Sequence, residues 1–165
     1  MLKQFIIVFF TVIFLIFISS TKPFLVIGSD EYIFDTQITQ KTTLINKIFE
    51  KTGFLIRLNK SSKAKYWRKL VDKRLAEFKL VVENDDKGAF EETSSRYSTY
   101  VANYSDYLLN SNLVNEKSIT KQQFDKHQEI LNTFKDKYEY NSAWWILVMH
   151  PINTLEIFKL KVEKL

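Results

Sequence analysis

The sequence predicts an all-α protein, with an N-terminal transmembrane helix followed by an antiparallel helical hairpin inside a bundle. Three observations carry this. Only 3 glycines and 2 prolines occur in the chain, too few for the frequent turns of an all-β fold. Apolar residues recur at intervals of three and four over several long stretches, the spacing of one helix face. Phe5 to Ile18 is apolar except for the hydroxyl of Thr11, and it carries no charge.

These features divide the chain into a membrane anchor or signal peptide at 1–20, a linker at 21–41 and an extracytoplasmic helical domain at 42–165. A bilayer core needs about 20 apolar residues in a helix. Leu2 and the tolerable Ser19, Ser20 and Thr21 bring the run near that length. Lys3 and Ile18-Ser19-Ser20 also fit a secretory signal, but the cleavage site lacks alanines. The uncleaved single-pass anchor is therefore the expectation, and secretion after cleavage the alternative. Positive charge favours the cytoplasmic side. Lys3 and the α-amino group thus place the N-terminus inside and the domain outside.

The 165 residues hold 24 basic and 19 acidic side chains, a net charge of +5 and a pI near 9.2. That balance favours polyanionic partners, either anionic lipid or wall polymer. Nucleic acid is not expected outside the cell. Cysteine is absent, so core burial must hold the domain without disulfides.

In chain order, Phe24 to Ile27 is a short apolar patch that would lie at the membrane surface. Asp30 to Gln40 is mixed and could form a turn of helix. Residues 42–58 pair Leu44 with Ile48 and Ile45 with Phe49 at helical spacing, and Gly53 should end or weaken that helix. Residues 62–83 form the clearest helix. Its apolar face is Ala64, Trp67, Val71, Leu75, Phe78 and Val82. Its polar face is Lys65, Arg68, Lys69, Asp72, Lys73, Glu77 and Lys79. Asp85 or Asp86 should cap the next helix at 87–110, whose seam is Phe90, Tyr97, Val101, Tyr104 and Leu108. A break this short implies an antiparallel hairpin, with Trp67, Phe78 and Tyr97 buried. Thr120 and Gln123 read as a capping box opening a helix with the seam Phe124, His127, Leu131, Phe134 and Tyr138. Ala143 to Met149 is an apolar run too short to span a bilayer. Pro151 can open a last helix at its first position, continued by Leu155, Phe158, Val162 and Leu165. A strand over 158–162 is the alternative.

Leu44-Ile45-Asn46-Lys47-Ile48-Phe49-Glu50-Lys51, followed by the helix Lys65 to Phe78 with its Arg74-Leu75-x-Glu77 core, carries a resemblance. Over residues 44–109 the chain resembles the DUF5667 domain, an extracytoplasmic helical domain of bacterial proteins that often follows a membrane segment. The resemblance implies a placement and a fold. It implies no catalytic residues.

Chemistry-bearing motifs are sparse. There is no Gly-rich phosphate loop and no H-E-x-x-H pattern. His127 and His150 lie in different segments, and His127 on its helix seam reads as a packed imidazole. Asp85-Asp86 and Glu91-Glu92 are the densest carboxylate pairs and read as helix-start electrostatics. Tyr97, Tyr100, Tyr104 and Tyr107 read as a half-buried seam with wet hydroxyls, or alternatively as a platform for stacking sugars. Trp144-Trp145 reads as core, with interfacial anchoring as the alternative. Lys65, Arg68, Lys69 and Lys73 are the candidate polyanion-binding residues, because Lys65, Lys69 and Lys73 repeat every four residues on the expected exposed face. No catalytic residue, cofactor or metal ligand is expected. The functional expectation is a membrane-tethered, non-catalytic scaffold or interaction domain. A module binding cell-wall glycan or polyanion is the second reading, and a carboxylate-pair hydrolase the third.

Overall fold

The computed structural model describes residues 32–165. The expected anchor at 1–20 and the linker up to residue 31 lie outside the described residues. Within them the chain is all-helical: α1 (Leu44–Leu55), α2 (Lys60–Glu83), α3 (Lys87–Ser111), a 3-10 turn at Val114–Glu116, α4 (Lys117–Lys135) and α5 (Ala143–Val162). No described helix is long and apolar enough to cross a membrane.

Local chemistry starts the helices where side chains can accept from free backbone N–H groups. Thr43 accepts from Asn46, Asn59 from Ser61 and Asp86 from Ala89. Between α2 and α3, Asp85 turns the chain at φ 50°, a left-handed conformation that aspartate tolerates better than most residues. The turn is tight, so α2 and α3 run antiparallel as expected. Phe78 meets Phe90 at 5.1 Å and Trp67 meets Tyr100 at 5.7 Å, early positions against late ones.

Four helices form the bundle. α3 packs on α2 and α5, and α5 packs on α4. α4 returns beside α2, where Phe134 meets Phe78 at 5.8 Å. The core is Val71, Leu75 and Phe78 from α2, Tyr97, Val101, Tyr104 and Leu108 from α3, Phe124 and Leu131 from α4, and Val148, Ile152 and Leu155 from α5. The expected seam of 87–110 is buried accordingly, as are Phe124, His127, Leu131 and Phe134 of α4, but α4 ends at Lys135 and leaves Tyr138 half-buried beyond it; the tail from Pro151 is helix rather than strand.

Four expectations are corrected. Trp67 is half-buried rather than buried; it packs between Phe54 and Tyr100, at 5.3 and 5.7 Å. Thr120 and Gln123 make no capping box, because the 3-10 turn starts α4 upstream of them. Thr120 instead donates to the Glu116 carbonyl at 2.7 Å, inside the helix. Pro151 does not open the last helix but sits within it. Ser142 caps that helix by accepting from the Trp145 N–H, so the apolar run 143–149 is its first half. The polar face of α2 is narrower than the pattern suggests. Asp72, Arg74 and Glu77 are buried, because α1, α4 and the segment before α1 cover that side.

Residues 32–43 are not helical. Inward and outward positions alternate from Tyr32 to Ile38, the period of an extended strap. The strap is laid over the seam between α2 and α4, with contacts to both helices.

Candidate functional site

Three places gather polar or exposed apolar groups. The first lies under the strap. Asp72 of α2 is nearly buried, and its Oδ1 accepts from the Tyr32 hydroxyl at 2.6 Å and from the Gln123 amide. His127 of α4, wholly buried, sets Nε2 3.0 Å from both Asp72 Oδ1 and the Tyr32 oxygen. Its Nδ1 lies 3.0 Å from the Tyr97 hydroxyl. A proton on Nε2 can be shared between Asp72 Oδ1 and the Tyr32 oxygen, with Tyr97 donating to Nδ1. Burial, reinforced by the Asp72 charge, pushes the Tyr32 and Tyr97 hydroxyls well above the ordinary tyrosine range, so both stay protonated donors. Tyr32 also donates its backbone N–H to Gln122 at 2.8 Å. An Asp–His pair can serve acid–base chemistry. Here both ring nitrogens are engaged by tyrosines of the protein itself, and the cluster fastens the strap. Outside it, Tyr32, Phe34, Gln122, Asp125 and Glu129 line an open depression of about 590 Å³.

The second place centres on Arg74, buried between α2 and α3. Its Nη1 donates to both Glu77 oxygens, at 2.7 and 2.8 Å, and to Thr42 Oγ1 at 2.8 Å. Its Nη2 donates to Glu50 and to the Tyr100 hydroxyl, which stands 3.1 Å away. The guanidinium also lies 4.4 Å from the Tyr100 ring centre. Burial alone would lower the Arg74 pKa; the bonds and charge of Glu77, together with the Tyr100 hydroxyl, outweigh it and raise it. Glu50 belongs to α1 and Thr42 to the strap, so one buried cation holds both onto the bundle.

The third place is the surface around α1 and α2. The four candidate polyanion-binding residues divide there. Lys65 and Lys69 are exposed. Lys73 is half-buried and pairs with Glu50 at 2.8 Å, while Arg68 pairs with Glu116 of the 3-10 turn at 2.9 Å. The stripe is therefore not exposed together. Lys73 is the member of the stripe that reaches α1, through Glu50. That helix turns Ile45, Ile48, Leu55 and Ile56 outward, each more than half exposed, and Leu58 follows at 91%.

The remaining candidates resolve into structural roles. Asp86 caps α3 and pairs with Lys41 at 2.7 Å, which holds its carboxyl below the usual range. Glu91 and Glu92 are exposed, and Glu92 pairs with Arg96. The expected half-buried tyrosine seam with wet hydroxyls is corrected at Tyr97 and Tyr104, while Tyr100 and Tyr107 are half-buried as expected. Tyr97 and Tyr104 are wholly buried, and all four hydroxyls bond protein groups. Trp144 packs on Phe90 at 5.3 Å and Trp145 on Tyr140 at 4.8 Å. His150 Nδ1 lies 3.0 Å from Ser98 Oγ. Among the described residues no three metal-ligating side chains gather.

Sequence reasoning missed Asp72, Glu50 and Glu77 as internal partners. A signal was present. In α2, Arg74 falls on the helical wheel directly beside Trp67 and Phe78 of the apolar face, which marks it as a candidate buried charge in need of a carboxylate.

The fold and surface define an all-helical bundle with a docked N-terminal strap. No family model, curated protein or solved structure matches the chain.

Proposed function

We propose that the protein is a membrane-tethered, extracytoplasmic, non-catalytic interaction domain that engages a polyanion through the basic surface around Lys65 and Lys69. One observation carries the reading. Residues 44–71 contain a single acid, Glu50, against eight basic residues, and Glu50 is turned inward onto Lys73 and Arg74. That end of the molecule therefore presents positive charge, which attracts polyanions and is weakened by salt. The apolar run Phe5–Ile18 supports the tether, and the resemblance of 44–109 to the DUF5667 domain points to the same placement. Both buried polar clusters, which could otherwise suggest acid–base chemistry, bind the strap and α1 to the bundle.

The test is retention of the full chain, in neutral detergent, on a phosphate-polymer resin. Lys65→Gln with Lys69→Gln should elute at lower salt than the parent, with an unchanged helical spectrum. Equal elution would remove the surface from consideration. Arg68 and Lys73 are poorer first choices for substitution, since each also holds a structural carboxylate.

A further inference from the structure

The exposed apolar face of α1 points to one kind of occupant. On a helical wheel Ile45, Ile48, Leu55 and Ile56 fall within one arc, and the opposite arc carries Glu50 and Phe54, the residues facing the bundle. Such a helix, apolar outward and basic at its margins, has the make-up of an interfacial membrane helix. We infer that α1 lies in the headgroup region of an anionic phospholipid membrane, with Ile45, Ile48, Leu55, Ile56 and Leu58 inserted. The inference rests on the tethered reading above and adds the partner and the docked face.

Three observations select lipid over other occupants. Lys51 is exposed on α1 itself, and Lys60 is exposed at the turn into α2 beside Leu58, cations of the kind that anionic headgroups attract. A second copy of the chain would bring the same cations face to face, an arrangement that opposes association. The apolar run ending at Ile18 lies 14 residues before Tyr32, and that length spans at most about 50 Å when extended, so a membrane holding the run is within reach of the bundle.

Gly53 shows how closely α1 is seated. A Cβ there would stand 2.6 Å from the Tyr66 hydroxyl. Tyr66 in turn donates to the Glu50 carbonyl at 3.2 Å. Together with the Glu50 bonds to Lys73 and Arg74, this fixes which side of α1 faces inward and therefore which side faces out.

The experiment uses the full chain in vesicles of mixed phosphatidylglycerol and phosphatidylcholine. The native sequence has no cysteine, so Ile48→Cys accepts a single nitroxide, and Thr99→Cys on the exposed side of α3 is the aqueous reference. The expected result is lower collision with a water-soluble nickel chelate and higher collision with oxygen at position 48 than at position 99. Leu55→Cys should repeat it. If the chain floats with the vesicles while position 48 is as wet as position 99, the docking is overturned and the tether stands. A chain that does not float with the vesicles overturns both. Protection that persists in neutral detergent and grows with protein concentration assigns the face to a second copy and also overturns the proposal.

Discussion

The Ser94 hydroxyl of α3 donates to the backbone carbonyl of Leu147 in α5 across 2.6 Å. Leu147 is four residues before Pro151, which has no N–H to offer that carbonyl. A neighbouring helix thus supplies the donor that the proline removes. Ser94→Ala should cost about 1–3 kcal/mol by leaving the carbonyl unsatisfied. In a Pro151→Ala background the new N–H can take over, and the same substitution should cost less. Urea unfolding of the four proteins measures the coupling. An identical cost in both backgrounds would show that the two sites are independent.

Asp72 is the acceptor on which the strap cluster depends. Asp72→Ala strands the donors of Tyr32, Gln123 and His127, and should cost about 3 kcal/mol or more. Tyr32→Phe removes one donor and should cost about 1 kcal/mol. Hydrogen exchange of the Tyr32 amide should quicken in both variants, since its bond to Gln122 relies on the docked strap. Unchanged stability in Asp72→Ala would refute the role assigned to this carboxylate.

Gly53 gives a substitution whose cost depends on its neighbour Tyr66. Alanine is the better helix former by about 1 kcal/mol. Its methyl would nevertheless press on the Tyr66 hydroxyl and ring. Gly53→Ala should lower the melting temperature in the parent chain and lower it less in a Tyr66→Phe background, where the hydroxyl is gone but the ring carbon 3.0 Å away remains. Stabilisation by alanine with Tyr66 present would mean that α1 is not held this tightly.

Alkaline pH should loosen the bundle from inside. Burial chiefly raises the Tyr104 pKa from 10.0 to about 12, and burial also holds Tyr97 well above the ordinary tyrosine value. Above pH 10 the unfolded chain releases these protons while the folded one keeps them, so stability falls as pH rises. For Tyr104 the contribution is complete below 10 and gone by about 12, at about 1.4 kcal/mol per pH unit in between. Tyr104→Phe should flatten that part of the profile in urea titrations. A profile as steep as the parent's would place the titration elsewhere.

The helices were legible because their cores are periodic. Val71, Leu75 and Phe78, or Phe124, Leu131 and Phe134, mark a buried face by their spacing alone. The buried charges were not legible. Asp72 and Glu77 read as a solvated face because periodicity records which residues are polar, not what covers them, and the covering strap and α1 come from distant sequence. Pro151 misled for a related reason, since Ser94, which compensates for it, is on another helix. Thr120 and Gln123 have the composition of a cap, but the three-residue turn before Lys117 had already begun the helix. Of the candidate surface, Lys65 and Lys69 are exposed as read, whereas Lys73 and Arg68 are half-buried, drawn in towards Glu50 and Glu116, which spacing within one helix could not show.

The most direct measurement of the central claim is the salt dependence of polyanion binding by the full chain in neutral phosphatidylcholine nanodiscs. The probe is a soluble linear polyphosphate. Binding should weaken as salt rises. Lys65→Gln with Lys69→Gln should weaken it further and reduce the slope of log affinity against log salt by about one for each lysine that contacts the polymer. Substituting Lys121 and Lys126, exposed on α4, should leave affinity and slope near the parent values. Equal losses from the two pairs would mean that only net charge is sensed, and no loss from Lys65 and Lys69 would contradict the basic surface as the binding site.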